Sequence, residues 1–117
     1  MKMKKIVSCR SQGRLFYLFE CVGSHELDFG KISIDSKCDG RTIPCGIYPT
    51  DCVALQKSAV KLEGSAAVVV LPFLDGKSQK VEVRYEDKTV ASFCSNSNGE
   101  KWASRLNYRL KPALCNA

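Results

Sequence analysis

The sequence lacks an apolar run long enough to cross a membrane. A transmembrane helix needs about 20 consecutive apolar residues, whereas the run LFYLFECV at 15–22 has eight residues and includes Glu20. The N-terminal MKMKKIVSC has the positive start of a secretory signal, but RSQGR at 10–14 interrupts the apolar segment that such a signal requires. We therefore expect a cytoplasmic protein without a transmembrane segment, with the inner membrane surface as an alternative place of action.

The sequence also lacks the motifs that accompany common enzyme chemistries. It has neither of the glycine-rich phosphate-binding patterns and no G-x-S-x-G nucleophile elbow. The remaining catalytic option is a cysteine paired with the single histidine, His25. That histidine lies in GSHELDFG at 23–30, whose glycines and charged residues are typical of an exposed connection. We predict that the chain itself has no catalytic residues and requires no cofactor.

Three of the seven cysteines, Cys38, Cys45 and Cys52, are spaced by seven positions. An odd number of cysteines leaves one thiol outside any set of intramolecular disulfides. Zinc ligands are usually separated by two to four residues, whereas six residues separate each of these pairs. Along a strand, an offset of seven also directs neighbouring cysteines to opposite faces. The pattern favours small, reduced thiols dispersed through a β structure, and we predict no metal site.

Periodicity along the chain is almost entirely of the β kind. Apolar runs and two-residue alternations, separated by turn residues, predict strands at 14–22, 31–35, 41–49, 51–64, 65–72, 80–86, 90–93 and 101–111. The 117 residues, with 44% hydrophobic and 26% charged, suit one soluble domain with its own core. We therefore predict a single all-β domain over 1–117, an antiparallel β-sandwich of immunoglobulin-like size, with a small β-barrel as second choice.

Positive charge is concentrated at the two ends of the chain. The formal net charge is +6, yet the first acidic residue is Glu20 and the last is Glu100. In the terminal segment KWASRLNYRLK, alternation predicts an aromatic and aliphatic face that includes Trp102 and Tyr108. The opposite, basic face is the candidate binding surface: Lys101, Arg105, Arg109 and Lys111. A basic patch that includes both ends requires a fold that brings the termini together.

Nucleic acid is a less favoured partner for this terminal strand. Sheets that bind single-stranded nucleic acid present aromatic and basic side chains on the same face, because the bases stack on the rings. Here the predicted alternation places Trp102 and Tyr108 opposite Arg105 and Arg109. The pattern therefore favours aromatic side chains in the core and arginines in water.

The segments at 68–93 and 101–110, preceded by IPCGIYP at 43–49, resemble the N-terminal β-domain that precedes the catalytic region in some bacterial glycosyltransferases and CDP-glycerol-type polymer transferases. The resemblance implies an accessory domain at the start of a longer protein that makes cell-surface polysaccharide or wall polymer. It implies no catalytic residue in this chain. The D-x-D pattern that holds a metal-bound sugar nucleotide in many glycosyltransferases is missing from the sequence.

Two hypotheses of different classes follow. In the first, the chain is a non-catalytic module attached to a transferase, and its basic terminal strand faces the partner domain, an acidic glycan or a membrane surface. In the second, the chain is a self-contained protein that binds a ligand or nucleic acid through the same strand.

Overall fold

The computed structural model describes residues 1–23, 26–56, 62, 64–97, 102 and 107–110. Their strands are β1 (Met3–Ser11), β2 (Arg14–Cys21), β3 (Ile32–Cys38), β4 (Arg41–Thr42), β5 (Gly46–Pro49), β6 (Val53–Gln56), β7 (Ala66–Pro72), β8 (Ser78–Tyr85), β9 (Lys88–Asn96) and β10 (Asn107–Leu110). Two 3₁₀ turns, Phe29–Lys31 and Thr50–Cys52, precede β3 and β6. Over these ranges, no helix has the length and apolar character needed to span a bilayer.

Two four-stranded antiparallel sheets form a β-sandwich, as predicted. The first sheet has the order β1-β2-β7-β5 and the second β4-β3-β8-β9, while β6 and β10 pair as a separate two-stranded ribbon. The two larger sheets have the strand order of an immunoglobulin sandwich, in which strands A-B-E-D pack on C′-C-F-G. The β6–β10 ribbon is additional to that arrangement. This strand order does not identify a function.

The main core lies between the two sheets, where alternate residues of facing strands meet. Inward side chains of β2, including Leu15 and Tyr17, pack with Val81 and Val83 of β8. These four side chains are at most 1% exposed. Because β2 and β8 are flanked by other strands in their sheets, they contribute to the centre of the core.

The outer face of the first sheet is buried as well. Phe16 and Leu18 of β2 pack with Val68 and Val70 of β7 in a second apolar cluster. β2 and β7 are therefore covered on both faces, which explains why their sequences are continuous apolar runs and not alternations. Leu15–Phe19 and Cys21 are buried, so most of the strand predicted at 14–22 is covered, whereas Val22 is exposed and lies beyond the end of β2.

Three local predictions differ from the structure. β1 lies in a segment for which no strand was predicted, since a β-bulge interrupts its alternation. Pro44 lies in the connection between β4 and β5 and not within an edge strand, because proline has no N–H to donate to a ladder. The β8–β9 turn is at Glu86–Asp87, so the first of the strands predicted at 80–86 and 90–93 ends at Tyr85 and the second begins at Lys88, its partner in the ladder.

The unusual turn residues explain the last difference. Glu86 and Asp87 both have positive φ, 51° and 64°, which two-residue hairpin turns of type I′ require and which glycine or asparagine usually provides. No glycine in this part of the sequence marks the turn.

Candidate anion-binding surface

Most of the predicted basic face falls outside the described residues. Lys101, Arg105 and Lys111 lie there, so their place on a binding surface stays a prediction. The backbone of Arg109 is part of β10, opposite Ala54 of β6. The predicted strand at 101–111 is therefore described as a strand over 107–110, and Trp102 lies outside it.

The fold brings the backbone of β10, which includes Arg109, next to the N-terminal strand β1. β10 contacts β1, the N-terminal edge strand of the first sheet. β1 and the residue before it present four exposed cationic side chains: Lys2, Lys4, Lys5 and Arg10. The sequence pattern identified the charge at both ends, but their proximity follows from the sandwich topology. We call the exposed basic residues at positions 2, 4, 5 and 10 the β1 basic edge.

A β-bulge interrupts the ladder of β1. Lys5 pairs with Phe19 and Val7 with Leu18, so Ile6 is an extra residue between the two pairs. Lys4 and Lys5 precede the bulge and pair in regular succession with Glu20 and Phe19, so their side chains point to opposite faces of the strand. Both side chains are exposed on this edge strand.

Two cations of the β1 basic edge lie over aromatic rings. The Arg10 guanidinium carbon is 3.6 Å from the centre of the Phe73 ring, and the Lys5 ammonium is 5.7 Å from that of Tyr17. The backbone N–H of Phe73 donates to the Gly13 carbonyl at 2.9 Å, which ties Phe73 to the β1–β2 turn. The Arg10 guanidinium therefore has an aromatic ring beneath it, a favourable cation–π contact.

One acidic residue lies close to this edge in the ladder. Glu20 of β2 is directly opposite Lys4, and its carboxylate also accepts a hydrogen bond of 3.2 Å from the Gly64 N–H. The 19 residues before Glu20 contain no acidic side chain. The edge therefore keeps an excess of positive charge.

The exposed face of the second sheet is different because its charges are balanced. Lys37 of β3 lies opposite Lys80 of β8, and two pairs further along the same strands Asp35 lies opposite Glu82. Glu82 also forms an ion pair with Arg84. Positive and negative rows thus alternate on this face, whereas all four charges of the β1 basic edge are positive.

The outer strands of both sheets carry features that oppose pairing with another strand. β1 and β9 are each bulged, at Ile6 and Val90. β4 has two residues, and β5 ends in Pro49. Short edge strands, bulges, proline and edge lysines all disfavour strand addition. A partner of this surface is therefore expected to contact side chains and not to extend a sheet.

The interior contains a polar network between the sheets. The Gln79 side chain accepts a hydrogen bond of 3.2 Å from the Ser36 hydroxyl and donates one of 2.8 Å to the Pro72 carbonyl. The Tyr17 hydroxyl bonds to Ser95 at 2.5 Å. These groups are buried and positioned by the backbone, so they specify the packing of the sheets. They lack the acid, base and nucleophile set that catalysis requires.

Cys38 and Cys45 do not share one element. Cys38 is buried at the end of β3, and Cys45 is half-buried in the connection before β5. Burial, and then the Asp35 carboxylate, raise the pKa of the Cys45 thiol, which opposes the thiolate form needed for nucleophilic chemistry. Among the residues described, no three His, Cys, Asp or Glu side chains are grouped so as to hold a metal ion. The Cys52 side chain and His25 lie outside the described part.

An open pocket of about 420 Å³ lies beside the β8–β9 turn. Glu26, Glu86 and Lys88 line it together with Tyr85. The Tyr85 hydroxyl accepts a hydrogen bond of 3.2 Å from the backbone N–H of Asp28, and Glu86 faces Lys31 at 3.9 Å. Both interactions have an ordinary structural role at a solvent-exposed turn.

Comparison with known proteins identifies no family for this chain. No protein-family model, curated protein or solved structure matches it. The functional argument therefore depends on the surface itself, and the resemblance to transferase β-domains remains an expectation from the sequence.

Proposed function

We propose that this chain is a non-catalytic β-sandwich module that binds an anionic partner through the β1 basic edge and the neighbouring C-terminal strand. One observation carries the proposal: the backbone of β10, which includes Arg109, lies against β1, the strand of the β1 basic edge. Four cations beside a single acid, Glu20, create a net positive potential that attracts anionic partners and accelerates their association. The balanced face of the second sheet offers no comparable field.

The composition of the edge supports binding through side chains. The cations are exposed, and the bulge and lysines of β1 disfavour addition of a further strand. A partner that presents negative groups can therefore approach the edge without pairing with it. The partner can be a separate molecule or a domain of the same polypeptide.

From the sequence resemblance alone, we further propose that the module belongs to a transferase that makes cell-surface polymer. In that setting the β1 basic edge would dock an acidic surface of the transferase, its anionic product or a membrane. An isolated binding protein is the alternative. Co-expression of the chain with a transferase domain encoded in the same reading frame, followed by co-purification, distinguishes the two.

A matched pair of triple variants tests the proposed binding surface. The first replaces Lys2, Lys4 and Arg10 with Ser, and the second replaces Lys37, Lys80 and Lys88, which are also exposed. Both lower the net charge by three, since each removes three cations. We expect the first to weaken binding to heparin at 50 mM salt at least tenfold more than the second, because only the first removes the local cluster.

Two outcomes would contradict the proposal. If both variants lose the same affinity, the attraction comes from net charge and the β1 basic edge is not a site. If the unchanged chain does not bind heparin, oligonucleotides or anionic vesicles at low salt, the module has no anion-binding function.

A further inference from the structure

We propose that the start of β1 and the end of β2 form a binding site for one soft, monovalent metal ion, copper(I), with sulfur ligands from Cys21, Met1 and Met3. The site is independent of the proposed anion-binding function. Two observations carry it: the Cys21 Sγ is 3.8 Å from the Met1 Sδ, and Met3 is the ladder partner of Cys21.

The register of β1 and β2 brings three sulfur-containing side chains to one face. Directly paired residues of an antiparallel ladder have their side chains on the same face, with Cβ atoms roughly 4.5–5.5 Å apart. Met3 and Cys21 are such a pair, and both pack in the main core. Met1 precedes Met3 by two positions, which is the side-chain repeat of an extended chain, and its sulfur reaches the same thiol. Both methionines of the chain therefore belong to this cluster.

The distance between the two contacting sulfur atoms suits a shared ion. If each metal–sulfur bond is about 2.3 Å long, as in zinc thiolate sites, sulfurs that are 3.8 Å apart subtend an angle of about 110° at the ion. That angle is close to tetrahedral. One ion can therefore bind Cys21 and Met1 without a change in the separation of their sulfurs.

The ligand set favours copper(I) over zinc. Thioether sulfur is a soft ligand that suits copper(I), whereas protein zinc sites use thiolate, imidazole and carboxylate ligands. On binding, the Cys21 thiol releases its proton to solvent, and the thiolate and a monovalent cation form a neutral pair. Cys21 is 4% exposed, so a divalent ion would leave a net positive charge in a buried position, which is costly. Spacing among the cysteines and the histidine gives no sign of this site, because two of its ligands are methionines.

An open pocket gives an ion access to the cluster. Met1 is 38% exposed and lines the pocket of about 420 Å³ beside the β8–β9 turn, together with Glu26 and Glu86. The two carboxylates attract cations, although Lys88 of the same pocket opposes them. An ion that enters here meets the exposed Met1 thioether before the buried Cys21 thiol.

Methionine labelled isotopically at its ε-methyl group tests the site directly, because the chain has two methionines and both are proposed ligands. The full chain is titrated without oxygen with copper(I), supplied as its bicinchoninate complex, and followed by NMR. We expect both methyl signals to shift and to saturate at one equivalent of copper(I). Zinc(II) at the same concentration should leave them unchanged. Copper(I) should also raise the melting temperature, because it binds the folded chain.

Three variants identify the ligands by competition with bicinchoninate. Cys21→Ser exchanges the soft thiolate for a hydroxyl and should weaken copper(I) binding by more than about tenfold. Met3→Leu nearly conserves side-chain volume and should weaken it about tenfold, because one thioether is lost. Cys9→Ser is the matched control, since Cys9 is another buried thiol but belongs to the cluster on the outer face of the first sheet. It should leave the affinity unchanged.

The possible failures are distinguishable. If copper(I) binds but neither methyl signal shifts, other thiols hold the ion and the assignment is wrong. Equal losses in Cys21→Ser and Cys9→Ser would also overturn it. If Cys21→Ser does not fold, the methyl shifts of the unchanged chain still decide the question. Met3→Leu should bind heparin normally, so failure of the copper(I) site leaves the proposed anion-binding function standing.

Discussion

Tyr17 and Ser95, 78 positions apart in the sequence, share a hydrogen bond of 2.5 Å across the interior of the sandwich. Tyr17 belongs to β2 of the first sheet and Ser95 to β9 of the second. Both residues are completely buried. The contact therefore joins the two sheets by a buried polar interaction, in addition to the network around Gln79.

This hydrogen bond predicts that substitutions of Tyr17 and Ser95 have non-additive effects on the free energy of unfolding. Tyr17→Phe removes the hydroxyl and leaves Ser95 to satisfy its own hydrogen bond in a buried site, at a cost of about 1–3 kcal/mol in the free energy of unfolding. Adding Ser95→Ala to that variant should recover part of the loss, because it removes the unsatisfied partner. Urea denaturation of the four proteins measures the coupling. Additive losses would mean that the hydroxyls do not interact.

Gln79 provides a second test of the buried network. Gln79→Met retains an unbranched side chain of similar length but leaves the Pro72 carbonyl and the Ser36 hydroxyl without their partner. We expect a loss of about 2–4 kcal/mol for two interrupted interactions. The control is Lys80→Met on the exposed face of the same strand, which should change the free energy of unfolding by less than about 0.5 kcal/mol. A neutral Gln79→Met would show that the network adds no stability.

Trp102 and the terminal arginines should differ in their contributions to stability. Trp102 packs against the main core and meets Tyr17 edge-on, with ring centres 5.7 Å apart. Trp102→Ala should therefore cost about 3 kcal/mol, at the lower end for a large aromatic residue because Trp102 is half-buried. Replacement of both Arg105 and Arg109 by Ser should leave the melting temperature nearly unchanged. If the two changes destabilise the chain equally, the prediction that Trp102 faces the core and the arginines face the solvent is wrong.

The buried thiols predict a loss of stability at alkaline pH. Burial first, and then the Glu20 carboxylate, raise the pKa of the Cys21 thiol above its ordinary value of 9.0, although the N-terminal ammonium opposes the shift. The folded chain then keeps a proton that the unfolded chain releases, so this contribution is fully present below about pH 9 and falls as pH rises through the folded pKa. The raised pKa of Cys45 acts in the same direction.

Measurement of melting temperature between pH 7 and pH 10.5 tests this linkage. Cys21→Ala and Cys45→Ala together should flatten the alkaline decline, whatever their effect at pH 7. Cys94→Ala is the matched control, since Cys94 is exposed. An unchanged slope in the double variant would show that other groups, such as tyrosines and lysines, determine the alkaline transition.

Strands buried on one or both faces were predictable from local pattern. β7 carries a continuous run from Ala66 to Leu71, and β8 alternates around Val81 and Val83, so both elements follow from hydrophobicity alone. β1 was not predictable in this way, because the extra residue Ile6 interrupts its alternation, and Lys4 and Lys5 are both exposed on this edge strand. Local patterns also carry no information on which face of a bulged strand is covered.

The candidate surface was predictable in composition but not in place. The absence of acids before Glu20 and after Glu100 identified two basic ends. Whether they meet depends on the path of the chain through two sheets, which no local signal encodes. The contribution of Phe73 had no detectable signal either, since its position over Arg10 follows from the packing of the β7–β8 connection against the β1–β2 turn.

The protection of the edge strands matters where many copies of the chain are held close together. Edge strands that disfavour pairing with a strand of another molecule keep the copies separate when many of them are held side by side on an assembly or a polymer. The bulges of β1 and β9, the shortness of β4 and the proline of β5 thus favour solubility under crowding.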